Sequence, residues 1–96
     1  MAGPTCEVVL DAGDGLALDA VDAILAAAAE RIDRTRKGRV WDVWVGGRPV
    51  HVSVGGSPPA VTLSAGCNSP EDYAVLRHLA GEMAAALCGV ASEPVK

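Results

Sequence analysis

The chain contains no phenylalanine, one tyrosine (Tyr73) and two tryptophans, Trp41 and Trp44. Its core must therefore be built from Val, Leu, Ile and Ala, and each tryptophan reports which side of its element faces inward. The longest apolar run, Ala23 to Ala29, falls far short of the roughly 18 residues that span a bilayer. The first residues lack the positive charge and apolar stretch of a secretory signal. Three cysteines, Cys6, Cys67 and Cys88, lie far apart, with no CxxC or zinc-ligand spacing. Their odd number argues against a disulfide framework, which predicts reduced thiols and a cytoplasmic setting. Positive charge is scarce: 8 Lys and Arg stand against 12 Asp and Glu, for a net charge of −4 and a pI near 4.9. That balance opposes general nucleic-acid binding and favours a basic partner.

What is present fits one globular domain over residues 1–96, half hydrophobic by count. Residues 1–5 and 92–96 are expected to fray. There is no room for a large cofactor-binding architecture, and no cofactor is expected. Cys6 to Asp11 alternates as a strand, and Gly13 and Gly15 mark a turn. A helix is predicted from about Leu16 or Asp19 to Asp33. Leu18, Val21, Leu25, Ala28 and Ile32 form its apolar stripe, and Asp19 with Asp22 acts as N-cap and partner. Thr35 to Arg39 reads as a basic linker. Val40–Val45 and Arg48–Val54 read as a hairpin around Gly46-Gly47, followed by a strand over Ala60–Ala65. Ser69-Pro70-Glu71-Asp72 is a helix start: an N-cap, a proline at the first position, then acids. That helix should run to about Cys88 and stop at Gly89. Gly81 inside it predicts close packing against the alanines of the first helix. The order β-α-β-β-β-α implies an α+β, two-layer sandwich: a mostly antiparallel four-stranded sheet with both helices on one face. If the first two strands are neighbours, the crossover between them is right-handed. The strand order itself stays open.

The two-residue turn sets the hairpin register. Val45 faces Arg48, Val43 faces Val50, and Trp41 faces Val52. Trp41, Val43, Val50, Val52 and Val54 then share the core face. The other face takes Asp42 opposite His51 and Trp44 opposite Pro49, with Ser53, Thr62 and Ser64 nearby. A one-residue bulge would exchange the two tryptophans. With helices on one side only, this second face is wet and carries an aromatic anchor among polar groups, which is interface chemistry.

Other constellations are weaker. Asp42 and His51 can pair as a base and its orienter, but Ser53 and Ser64 sit on regular strands without an oxyanion nest. Cys67, just before the Ser69 cap, is the candidate for a reactive thiol, since a helix N-terminus stabilises thiolate. Asp11 and Asp14 lack the spacing of a calcium loop, so no metal is expected, though their turn is a second candidate partner surface. Gly46-Gly47 lacks the GK[ST] of a phosphate loop.

With the hairpin and Gly66-Cys67-Asn68-Ser69-Pro70-Glu71-Asp72-Tyr73 in place, the chain resembles small bacterial immunity proteins in size, acidity and architecture. The resemblance implies a cytoplasmic, non-enzymatic module that binds and blocks a cognate toxin domain, and the acidity of the chain predicts that the toxin surface it meets is basic. The residues expected to carry partner binding are Trp44 as anchor, Asp42, Arg48 and His51 around it, and Asp11 and Asp14. Two alternatives remain: a small thiol-dependent enzyme or redox protein using Cys67, and a homo-oligomeric domain, with a homodimer as the simplest form. Neither nucleic acid nor membrane is expected as a partner.

Overall fold

The structure is a computed structural model and describes residues 3–10, 18–35, 40–55, 60–66, 69–87 and 89–95. Its elements are β1 (Thr5–Leu10), α1 (Leu18–Ala28), β2 (Arg31–Thr35), β3 (Val40–Val45), β4 (Arg48–Gly55), β5 (Ala60–Ala65), α2 (Pro70–Leu87) and β6 (Gly89–Ala91). The fold is α+β, with one antiparallel sheet of six strands in the order β2-β3-β4-β5-β1-β6.

Two strands are additional to the four expected. The first, β2, occupies residues expected to end the first helix and open the basic linker. Helix α1 stops at Ala28, and the amide of Glu30 donates to the carbonyl of Trp44 at 3.0 Å. The next five residues then pair along β3. Ile32 satisfies a helical stripe and a period of two equally well, so its spacing does not distinguish helix from strand. The free edge of β3 decided it, by offering the backbone a full ladder.

The second addition is β6, which pairs with β1 directly after α2. Beyond it Ser92 and Val95 stay hydrogen-bonded to β1. Ser92 donates its amide to Glu7 and accepts the Glu7 amide on its hydroxyl, at 2.8 and 2.9 Å. Thr5 and Val95 then exchange both backbone hydrogen bonds, at 2.7 and 2.9 Å. The pairing slips by one residue between these points, a bulge that accommodates the buried Pro94.

Strand β1 lies between β5 and β6, so it does not neighbour β3, the strand expected to follow the first helix, and the condition for the expected crossover is not met. The hairpin forms in the anticipated register, with Gly46 and Gly47 at φ 61° and 78°, the left-handed values a tight two-residue turn demands.

One sheet face is dry. Cys6 and Val8 of β1, Trp41 and Val43 of β3, Val50 and Val52 of β4, and Val61 and Leu63 of β5 are all buried on it. Val21 and Leu25 of α1, and Leu76, Leu79 and Met83 of α2, join them in one cluster.

Asp22 ties α1 to the sheet. Its carboxylate accepts from Arg34 Nε and Nη2 at 2.5 and 2.9 Å, and from the indole N–H of Trp41 at 3.0 Å. Asp22 is therefore not a capping partner of Asp19, which lies within the first helical turn. The Arg34 bond first, and the Trp41 bond second, hold the Asp22 carboxyl below its ordinary pKa. Gly81 also departs from expectation: it is exposed, and a Cβ there would meet nothing within 4 Å.

Two predictions follow from these positions. Asp22→Ala leaves the Trp41 indole without its acceptor and should cost about 1–3 kcal/mol in urea unfolding at neutral pH. A lowered native pKa stabilises above the unfolded carboxyl value of about 4 and is lost as pH falls through the native value. The gap between wild type and Asp22→Ala should thus narrow below about pH 4. An unchanged gap at low pH would contradict the assignment. Gly81→Ala should raise stability by about 0.5–1 kcal/mol, because it removes backbone entropy and clashes with nothing.

Candidate functional site

The other face of the sheet carries side chains of a different kind. Strand alternation places Arg31 and Asp33 of β2, Asp42 and Trp44 of β3, and Pro49, His51 and Ser53 of β4 on it. Thr62 and Ser64 of β5, and Thr5, Glu7 and Val9 of β1, continue it. No described helix packs on this side: the buried hydrophobic residues of α1 and α2 all belong to the opposite cluster.

At the β2–β4 end the side chains interlock. The guanidinium of Arg31 stacks over the Trp44 ring, 4.5 Å from its centroid, and Arg31 Nη2 lies 3.4 Å from Asp33 Oδ2. Asp33 and Asp42 are directly opposite in register. Asp42 Oδ1 in turn lies 2.9 Å from His51 Nδ1, and both side chains are about half exposed, at 46% and 53%. His51 faces Ser64 across the β4–β5 ladder, but the Ser64 hydroxyl is shared with that of Thr5 at 3.4 Å. Trp44, Pro49, His51 and Ser64 wall a shallow depression of about 270 Å³, with Asp42 and Gly66 at its margin. Chemically this is a rigid aromatic and proline ledge beside a row of charges. Among the described residues it presents no aligned nucleophile, and regular strands keep their amides in the ladder rather than in an oxyanion hole.

Among the anticipated site residues, Asp42, Trp44 and His51 come together here. Arg48 does not. It pairs with Val45 on the helix-covered side, where Nη1 donates to Ser69 Oγ at 3.2 Å and to Asp72 at 3.3 Å. Its Nη2 lies 3.7 Å from Glu71. The Ser69 hydroxyl donates to Asp72 Oδ2 at 2.6 Å and accepts the Asp72 amide at 3.3 Å, so Arg48 completes the cap of α2. Asp72 is buried, and Arg48 and Ser69 satisfy its carboxylate. Asp11, Asp14 and Cys67 lie outside the described residues. Sequence reasoning missed Arg31 and Asp33, because it assigned them to a helix end. The signal was the alternation Arg31, Ile32, Asp33, Arg34, which places two charges on one strand face.

Cys6 is no reactive thiol. It is buried, and burial, with the Glu93 carboxylate second, pushes its pKa up to about 11. Among the described residues no group of three His, Cys, Asp or Glu side chains is placed to hold a metal ion. A larger depression, about 370 Å³, lies between the helices and is lined mostly by Ala23, Ile24, Ala27 and Ala28. Its polar groups are His78 and Glu82, one turn apart on α2 with Nε2 and Oε1 at 3.8 Å. Among the described residues no helix is long and apolar enough to cross a membrane.

The two tryptophans should separate by stability. Trp41 is only 1% exposed, and Trp41→Ala should cost about 3–5 kcal/mol. Trp44→Ala should cost far less, about 1 kcal/mol from the exposed stack with Arg31, because its ring is partly in water already. Urea titrations of both variants check this. Equal losses would mean that Trp44 too is a core residue.

No protein-family model, curated protein or solved structure matches the chain.

Proposed function

We propose that the protein is a non-enzymatic binding module of immunity type, which occludes a basic surface of a cognate bacterial toxin domain in the cytoplasm. The observation that carries this reading is the partly exposed Trp44, stacked under Arg31 and ringed by Asp33, Asp42 and His51 on a sheet face that no described helix covers. In this reading the domain is a two-layer sandwich with one layer left for the partner. Rigid strands hold the aromatic anchor at little entropic cost, the common character of interface hot spots. Glu7, Asp33 and Asp42 outnumber Arg31 on the face, and the whole chain is acidic, so a basic surface is the complementary one. The size of the chain and its α+β fold also fit the immunity-type resemblance.

The test uses the protein as bait in lysate of its source cells, beside Trp44→Ala and, as an opposite-face control, Arg77→Ala. A single stoichiometric protein should be captured by wild type and by Arg77→Ala. With that partner purified, Trp44→Ala should weaken binding by more than about 1 kcal/mol, roughly fivefold or more. The partner alone should be toxic when expressed, and co-expression of this chain should relieve it. Equal affinity for Trp44→Ala would remove the open face from the interface. A partner without toxicity would remove the immunity assignment.

A further inference from the structure

The open edge of the sheet carries an ordered pattern, of which the proposed function uses Arg31 and Asp33 but not Glu30, Ile32 or Arg34. Strand β2 pairs with β3 on one side, and among the described residues no strand pairs with its other side. An unpaired edge invites another strand, and charged side chains usually blunt that tendency. Here the charges are ordered. From Glu30 to Arg34 the chain reads acid, base, isoleucine, acid, base.

We propose that β2 is the seam of a symmetric dimer, in which the β2 strands of two copies pair antiparallel about a two-fold axis at Ile32. In that register Arg31 of each copy lies opposite Asp33 of the other. Ile32 meets Ile32, and Glu30 lies opposite Arg34. Every opposed pair is then an ion pair or an apolar pair, and paired residues keep a common face, as antiparallel strands require. The neighbouring registers fail. A slip that centres the axis on Asp33 sets Asp33 against Asp33, and one that centres it on Arg31 sets Arg31 against Arg31. A slip of the other parity turns Ile32 to the wet face. The pattern thus admits a second copy of this chain in one register and rejects general strand addition.

The side chains are available for this exchange. Arg31 and Asp33 have 66% and 48% of their side chains exposed, and their mutual contact within one strand is long, at 3.4 Å. Arg34 is held by Asp22 yet half exposed, and Glu30 accepts the Gly47 amide on one carboxylate oxygen, leaving the other for a partner. Ile32 is only partly buried against the core, so its contact with its counterpart removes further apolar surface. The result is one continuous sheet with both wet faces on the same side. The two Trp44 residues would stand three strand spacings apart, about 14 Å across the sheet. A seam five residues long is small, so association should be weak, concentration-dependent and sensitive to salt.

Sedimentation velocity over a concentration series tests this on the full chain. Wild type should pass from monomer to dimer, and added salt should shift it back. Arg31→Asp and Asp33→Arg each oppose like charges twice and should weaken self-association by about tenfold or more. Mixing those two variants should restore a dimer, because opposite charges face each other again at both pairs. The doubly exchanged chain, carrying R31D and D33R, should dimerise as wild type does. Circular dichroism checks that each variant is folded. Independently of any variant, amide exchange in wild-type β2 should slow as concentration rises. A wild type that stays monomeric at millimolar concentration overturns the proposal. So does a dimer indifferent to both reversals, or one whose β2 amides exchange at the monomer rate.

Discussion

Everything in this molecule depends on the register of one hairpin. Two glycines in left-handed backbone conformations connect β3 to β4, and a two-residue connection leaves no freedom in which residue faces which. Strand side chains alternate with a period of two, so that turn sends Trp41 inward and Trp44 outward, and every neighbouring strand inherits the division. In a chain without phenylalanine, the inward tryptophan is the largest piece of the core, and the outward one is the largest apolar group on the wet face.

The helices are fastened to the inward side by charge as well as by packing. Asp22 of α1 takes the indole N–H of Trp41 and the guanidinium of Arg34. Arg48 at the start of β4 reaches the Ser69–Asp72 cap of α2. Each knot satisfies a group that would otherwise be costly at a buried or half-buried position. Both fasten a helix to residues on the same side of the sheet, which is why the opposite side keeps its hydroxyls, carboxylates and imidazole in water. These two contacts reinforce the asymmetry that strand alternation sets up.

The two sheet edges are managed differently. At one end β6 is only three residues long and is followed by a bulge around Pro94, which breaks up the edge it presents. At the other, β2 keeps a regular ladder and relies on charge. A regular edge with an ordered charge pattern discriminates among partners, whereas a bulged edge excludes them.

Much of this was legible in the residues themselves. The hairpin and its register, the start of α2 and the sorting of the two tryptophans all follow from local rules: glycine pairs, capping residues and alternation. The limits of local rules appear at Arg31–Thr35 and Gly89–Ala91. These short segments fit helix end, linker or strand equally, and only unpaired edges elsewhere in the sheet made them strands. Arg48 illustrates the same limit at the site. Its place in the hairpin was readable, but its engagement with Asp72 depends on a helix beginning 22 residues later in the chain. The sequence by itself determined which side of β3 and β4 is wet, because that requires only a turn and a period of two. The tertiary structure decided how many strands extend that face, and that Arg31 and Asp33 stand on it. Non-local pairing competes for backbone hydrogen bonds that no local pattern can assign.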